Sequence, residues 1–172
     1  MSDIQGLLSV TGSYLHDVDL TQLTRAFDFV SERHAGAMHA SGDSYVQHLV
    51  EVATSLASMK LDLDTITAGL LHGTLKENVA TFEELEKQFG HDVAQIVNGT
   101  TRITNVHYNS KLANQAENIR KLFLAISADI RVLLVKLTDR LQDMLTLGTT
   151  SPERQRQLAR ETLDLYAPLA SR

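Results

Sequence analysis

Ile130-Arg-Val-Leu-Leu-Val-Lys-Leu137 is the most apolar run of the chain, and its continuation through Leu141, Met144 and Leu147 keeps helical spacing. The run predicts a central, mostly buried helix opened by Asp129. Upstream, Leu23, Ala26, Phe27 and Val30 form a stripe that predicts a helix from Thr21 to about His34. Tyr45, Leu49, Val52, Ala53 and Leu56 predict another, to about Lys60. Asp62 and Asp64 suit the positive end of a third helix carrying Ile66, Leu70 and Leu71, with His72 near its end. Thr81 and Glu84 have capping-box spacing for a short helix closed by Gly90. Val93, Ile96 and Val97 mark a fifth helix, and Ile119, Leu122, Phe123 and Ile126 a sixth over 111–127. Ser151 before Pro152 is an N-cap followed by a first-turn proline, starting a last helix through Leu158, Leu163 and Tyr166.

The pattern predicts an all-α, compact, single-domain multi-helix bundle. Alternating strand patterns are scarce, and the only two prolines lie near the C-terminus. No repeat or Pro/Gly/Ser-rich linker divides the 172 residues, so one domain is expected over 1–172, with about the first twenty residues as an N-terminal extension. Zero cysteines exclude thiolate metal sites, disulfides and cysteine nucleophiles, so a metal here must use His, Asp and Glu. A net charge of −5 and 5% aromatic residues argue against nucleic acid as a partner. No apolar run approaches the roughly 18 residues of a membrane span, and the start lacks a signal-peptide pattern; a cytoplasmic location is the expectation.

Asp139 is the most informative position. A carboxylate embedded in the most apolar helix is costly unless compensated, either by an ion pair with Lys136 or Arg140 or by a bound cation. His48 and His72 sit on two other apolar helices, and imidazole with carboxylate suits Mn, Fe or Zn.

Ser41-Gly-Asp-Ser-Tyr-Val-Gln-His48 resembles the SGEPYxxH segment of the RelA/SpoT alarmone hydrolases, the (p)ppGpp 3′-pyrophosphohydrolases of the HD superfamily. Leu70-Leu-His-Gly73 resembles that family's LLHD, Phe89–Ala94 its FG..VA, Val97–Thr101 its VdGvTk, and 117–122 its ENxRKM. Asp129–Leu141 closely resembles DIRVxLxKLADRL, and Glu161–Ala170 resembles ETxxIYAPLA. The resemblance runs in order from about residue 20 to the end. It implies the HD-domain fold and a divalent metal, typically Mn2+, whose ligand positions fall on His48, His72, Gly73 and Asp139.

Glycine has no ligating atom, so the resemblance leaves the fourth ligand missing at Gly73 and allows that no metal is held at all. The family's acidic pair that activates the attacking water falls on Lys76 and Glu77. If the helix continued through this turn, Glu77 would be placed to reach back toward position 73 as a replacement catalytic or ligating carboxylate. Substrate-side positions have also changed: the family's Arg-Lys before SGEP is His39 and Ala40, and its His-Asn after ADRL is Gln142 and Asp143. Ser41, Lys76, Asp143, Thr146 and Arg154 are the substrate-binding candidates.

The implied function is a (p)ppGpp hydrolase-fold domain with an impaired catalytic apparatus, a pseudo-hydrolase that binds guanosine tetra- or pentaphosphate or a protein partner. The alternatives are an active metal-dependent hydrolase with a rebuilt site, and a regulatory or dimerisation module of a longer alarmone synthetase. A homodimer or an attached synthetase domain is the corresponding partner.

Overall fold

The computed structural model describes residues 4–104, 120, 123–124 and 127–171. Its helices are α1 Ile4–Gly12, α2 Thr21–Arg33, α3 Tyr45–Ser58, α4 Leu63–Leu71, α5 Phe82–Phe89, α6 His91–Thr104, α7 Ile130–Leu145 and α8 Pro152–Glu161. A π-helical turn, Thr162–Tyr166, and a last α-helical turn, Ala167–Ala170, continue α8. The expected all-α architecture is what forms. The helix expected over 111–127 lies almost wholly outside the described residues.

Local chemistry fixes the helix ends. Asp62 accepts a hydrogen bond from the Thr65 amide at 3.3 Å, Asp129 from the Arg131 amide at 2.9 Å and Ser151 from the Arg154 amide at 3.3 Å. Thr81 caps α5 through the Glu84 amide at 3.2 Å, but the Glu84 carboxylate does not complete a capping box; it turns to Arg33 at 2.5 Å. Gly90, at φ +94°, reverses the chain between α5 and α6.

One hydrophobic cluster unites α1 to α7. Leu23, Val30, Leu49, Leu56, Ile66, Leu70, Leu85 and Ile96 are fully buried in it. The stretch read as an N-terminal extension supplies α1, whose Leu7 is fully buried in the same cluster. Gly69 lets α3 and α4 approach closely, because a Cβ there would stand 2.6 Å from a Leu56 methyl. That contact sets the two histidine-bearing helices side by side.

The expectation of a mostly buried central helix needs correcting for α7. Val132, Val135, Lys136, Thr138, Asp139 and Arg140 are its buried residues, whereas Ile130, Leu141 and Leu145 are 56%, 52% and 69% exposed. A nearly continuous apolar run has no periodicity to reveal which face turns inward. Val132 and Val135 on the inward face join the core, whereas Lys136, Asp139 and Arg140 farther along it line a cavity, which is why that face carries charges. The last helix also departs from its reading: Leu158 and Tyr166 are buried, but Leu163 is exposed. Pro168 has no amide hydrogen for the carbonyl four residues back, and the widened turn over Thr162–Tyr166 absorbs that loss while shifting the helix phase.

Candidate metal and nucleotide site

His48 on α3, His72 at the C-cap of α4 and Asp139 on α7 converge at the base of a cavity of about 920 Å³. Asp139 Oδ1 lies 3.0 Å from His48 Nε2 and 3.3 Å from His72 Nε2. The other carboxylate oxygen, Oδ2, accepts a hydrogen bond from Lys136 Nζ at 2.7 Å. Thus the two sequence readings of Asp139, ion pair and ligand partner, occupy its two oxygens. Burial would raise the Asp139 pKa, but Lys136, His72 and the hydrogen bonds from the imidazoles hold it well below the usual carboxylate range.

His72 is oriented as a metal-binding histidine is. Its Nδ1 lies 2.7 Å from the Gly69 carbonyl, which only accepts, so Nδ1 carries the proton and donates it. Nε2 then meets Asp139 Oδ1 at 3.3 Å through a proton, the hydrogen bond that helps to lower the Asp139 pKa, and a cation would take that proton's place. The ligand atoms of His48, His72 and Asp139 all fall within 4.8 Å of one another, and two nitrogens with a carboxylate suit Mn, Fe or Zn. Three donors therefore fit a divalent ion.

Position 73 supplies no fourth donor. A Cβ built on Gly73 would stand 2.3 Å from Tyr45 Oη and 3.0 Å from two ring carbons, so the Tyr45 phenol fills the room a side chain would need. Tyr45 packs 4.6 Å from the His34 ring, centroid to centroid. Burial, reinforced by Glu77 and Asp139, pushes its phenol up and keeps it protonated.

Lys76 and Glu77 lie beyond the end of α4, in the turns that follow Leu71, with Lys76 Nζ 3.4 Å from Glu77 Oε1 and the two side chains 49% and 42% exposed. α4 ends at Leu71, but the Glu77 amide donates to the Gly73 carbonyl at 3.0 Å across a single helical turn, and the Glu77 carboxylate engages Lys76. Lys76, Asp143, Thr146 and Arg154 all line the cavity. Ser41 lies in the loop before α3, where its hydroxyl donates to Asp43 Oδ2 at 2.9 Å.

Arg33 had no expectation attached, and Arg140, an expected ion-pair candidate for Asp139, pairs elsewhere. Arg33 bonds the Val79 carbonyl at 2.7 Å and Glu84 while lining the cavity. Arg140 pairs with Glu161 at 3.0 Å and lies 4.4 Å over the Tyr166 ring. His39 stacks on His48 with ring centroids 3.9 Å apart and planes 5° from parallel, and faces Asp143 Oδ1 at 3.5 Å. Burial, then the adjacent His48, lowers the His39 pKa to about 4, and burial with Asp139 raises that of Asp143. The changes at positions 39 and 143 were visible in sequence; their meeting across 104 residues was not.

A family model described as HD domain matches residues 26–172. Over 168 residues, 98% of this chain, the sequence is 40% identical to the bifunctional (p)ppGpp synthase/hydrolase SpoT of Escherichia coli strain K12, of which it spans 24%. It is 45% identical over 159 residues to the GTP pyrophosphokinase rsh of Brucella ovis, covering 92% of this chain and 21% of that one. The chain belongs to the RelA/SpoT-type HD-domain family. A solved structure described as a metazoan ortholog of SpoT that hydrolyzes ppGpp shares the fold, with a TM-score of 0.67 over 86% of each chain at 24% identity. This RelA/SpoT-type HD domain spans less than a quarter of the curated relatives it matches. Among its described residues no helix is long and apolar enough to cross a membrane.

Proposed function

We propose that this RelA/SpoT-type HD domain binds a pyrophosphorylated guanosine nucleotide of the (p)ppGpp class in its cavity and hydrolyses it far more slowly than an intact HD site. The observation that carries the reading is the Tyr45 phenol in the room beside Gly73, where the family's pattern places a ligating carboxylate.

The binding half rests on the lining. Arg33, Lys76, Arg140 and Arg154 bring four cations to one cavity, and guanidinium groups suit the geometry of phosphate oxygens. Thr146, at the C-cap of α7, and Asp143 offer a hydroxyl and an acceptor to sugar or base. The cavity, at about 920 Å³, has room for a nucleotide, and the relatives are a (p)ppGpp synthase/hydrolase and a GTP pyrophosphokinase by name.

The catalytic half is what has been lost. A divalent ion at His48, His72 and Asp139 supplies Lewis-acid polarisation and a lowered pKa for bound water, and its use in hydrolysis requires an anion poised to take the proton. Lys76 brings positive charge where the family's pattern has an acid, and its ion pair with Glu77 engages the remaining carboxylate. Asp139 is already neutralised by Lys136 at 2.7 Å, which further reduces its attraction for a cation.

Incubating the protein with ppGpp and excess Mn2+, against a metal-free control, tests turnover through pyrophosphate release. Thermal stabilisation by the nucleotide tests binding. Stabilisation without release is the expected result. Metal-dependent release would replace this reading with the active, rebuilt site, and neither response would leave the regulatory or dimerisation module, checked by mass in solution.

A further inference from the structure

We propose that His39 and Asp143 form the second half of a divalent-cation site with His48, replacing the coordination that Gly73 no longer provides. The site is defined by the chain's own side chains and goes beyond nucleotide binding, since it requires no nucleotide to form.

The ligand atoms of His39, His48 and Asp143 all lie within 4.8 Å of one another, a grouping separate from His48, His72 and Asp139 but sharing His48. The His39 and Asp143 side chains are 14% and 19% exposed, so the donors are removed from bulk water yet open to the cavity. Two imidazoles and one carboxylate are the donor types of Mn, Fe and Zn centres.

Ser41 holds the His39 ring. Its amide donates to His39 Nδ1 at 3.4 Å, and its hydroxyl lies 3.2 Å from the same nitrogen while donating to Asp43 Oδ2 at 2.9 Å. Nδ1 is thereby turned to the loop, and Nε2 faces Asp143 Oδ1 at 3.5 Å, where a cation would take the place of the ring proton. Asp143 follows Asp139 by four residues on α7, which puts both carboxylates on one face of the helix.

Imidazole lone pairs lie in the ring plane, so the parallel rings of His39 and His48 point side by side. His48 is fixed in α3 by its bond to Asp139, whereas His39 lies in the loop before α3, so joint ligation of one ion would require the His39 ring to turn about its side-chain torsions. Ser41 enters this scheme as a positioning residue for His39, which gives a role to a side chain that does not itself line the cavity.

The chain has no cysteine, so a single introduced thiolate reports ligation directly. Co2+ alone, without nucleotide, is titrated into the full chain, His39→Cys and Asp143→Cys. A thiolate-to-cobalt charge-transfer band in either variant is expected, together with a loss of about tenfold or more in Co2+ affinity for His39→Gln and Asp143→Asn. Cobalt binding with no such band in either cysteine variant would overturn the proposal. So would undiminished affinity in both His39→Gln and Asp143→Asn, or an absence of Co2+ binding by the unmodified chain. Circular dichroism of each metal-free variant checks folding, and the two positions on separate elements give independent reports. A nucleotide titration that fails while the band appears would overturn the (p)ppGpp reading alone.

Discussion

The hydroxyl of Tyr45 occupies the space into which a side chain at Gly73 would grow: a Cβ there would lie 2.3 Å from Tyr45 Oη. The phenol is not free to swing away, since its ring packs against His34 at 4.6 Å and near His39 at 6.0 Å. Gly73→Asp restores the ligand type but overpacks the pocket, and we expect a loss of about 1–3 kcal/mol in stability by urea unfolding. Adding Tyr45→Ala to Gly73→Asp should cost less than the sum of the two single changes, because the collision is relieved. Strict additivity in that double-mutant cycle would show that the two side chains do not compete for one space.

Lys136 neutralises a carboxylate that is otherwise buried between two histidines. Lys136→Met keeps the aliphatic bulk but removes the lysine partner of Asp139 and leaves its Oδ2 unpaired, so stability at pH 7 should fall by about 3 kcal/mol. The sign of its pH dependence follows from the lowered Asp139 pKa. A depressed carboxylate contributes stability that is present above its ordinary value of 3.8 and is lost as pH falls through the folded value. The gap between Lys136→Met and the unmodified protein should accordingly narrow in acid, as measured by urea unfolding at pH 7 and below 3.8. A constant gap would assign the cost to packing rather than to charge.

Gly90 sits at φ +94° between α5 and α6, in a conformation that a side chain disfavours. Gly90→Ala should destabilise by about 1–3 kcal/mol even though open space surrounds the position. The corresponding change at Gly148, also in open space but without a positive φ, provides the control. Equal effects at the two sites would contradict a backbone origin.

How far the sequence reaches is plainest along α7. Asp139 announced itself as a carboxylate in an apolar run, and Lys136 three residues earlier was a readable partner. His48 and His72 were legible because the resemblance supplied their roles, and Asp62, Thr81 and Ser151 because capping is local chemistry. The inward face of α7 was hidden, since Ile130, Leu133, Leu134 and Leu137 make one apolar stripe while Val132 and Val135 make the opposite side apolar too, and it is the second that turns inward. Glu84 turning from its cap to Arg33, and His39 meeting Asp143, depend on where distant helices bring their partners. Gly73 was read as a missing ligand; that Tyr45 fills its place required the packing of α3 against the end of α4.

The His39 ring provides a pH test that separates its surroundings from those of the other histidines. Burial and the neighbouring His48 lower its pKa from 6.5 to about 4, so the unfolded chain binds more protons than the folded one between those values. Its contribution leaves stability undiminished above pH 6.5 and removes stability as pH falls toward 4. His34, lowered chiefly by burial, acts in the same direction. Asp143 has the opposite sign: its raised pKa gives stability that is full below 3.8 and is lost as pH rises through the folded value. The unmodified protein mixes these effects, but His39→Gln removes the His39 part while keeping a neutral polar side chain. The drop in urea-unfolding free energy between pH 7 and pH 5 should therefore be smaller in His39→Gln, if the stacked imidazole is held neutral as its burial requires. An unchanged drop would place His39 in a solvated setting, with no proton linkage to folding, and would contradict the buried stack on His48.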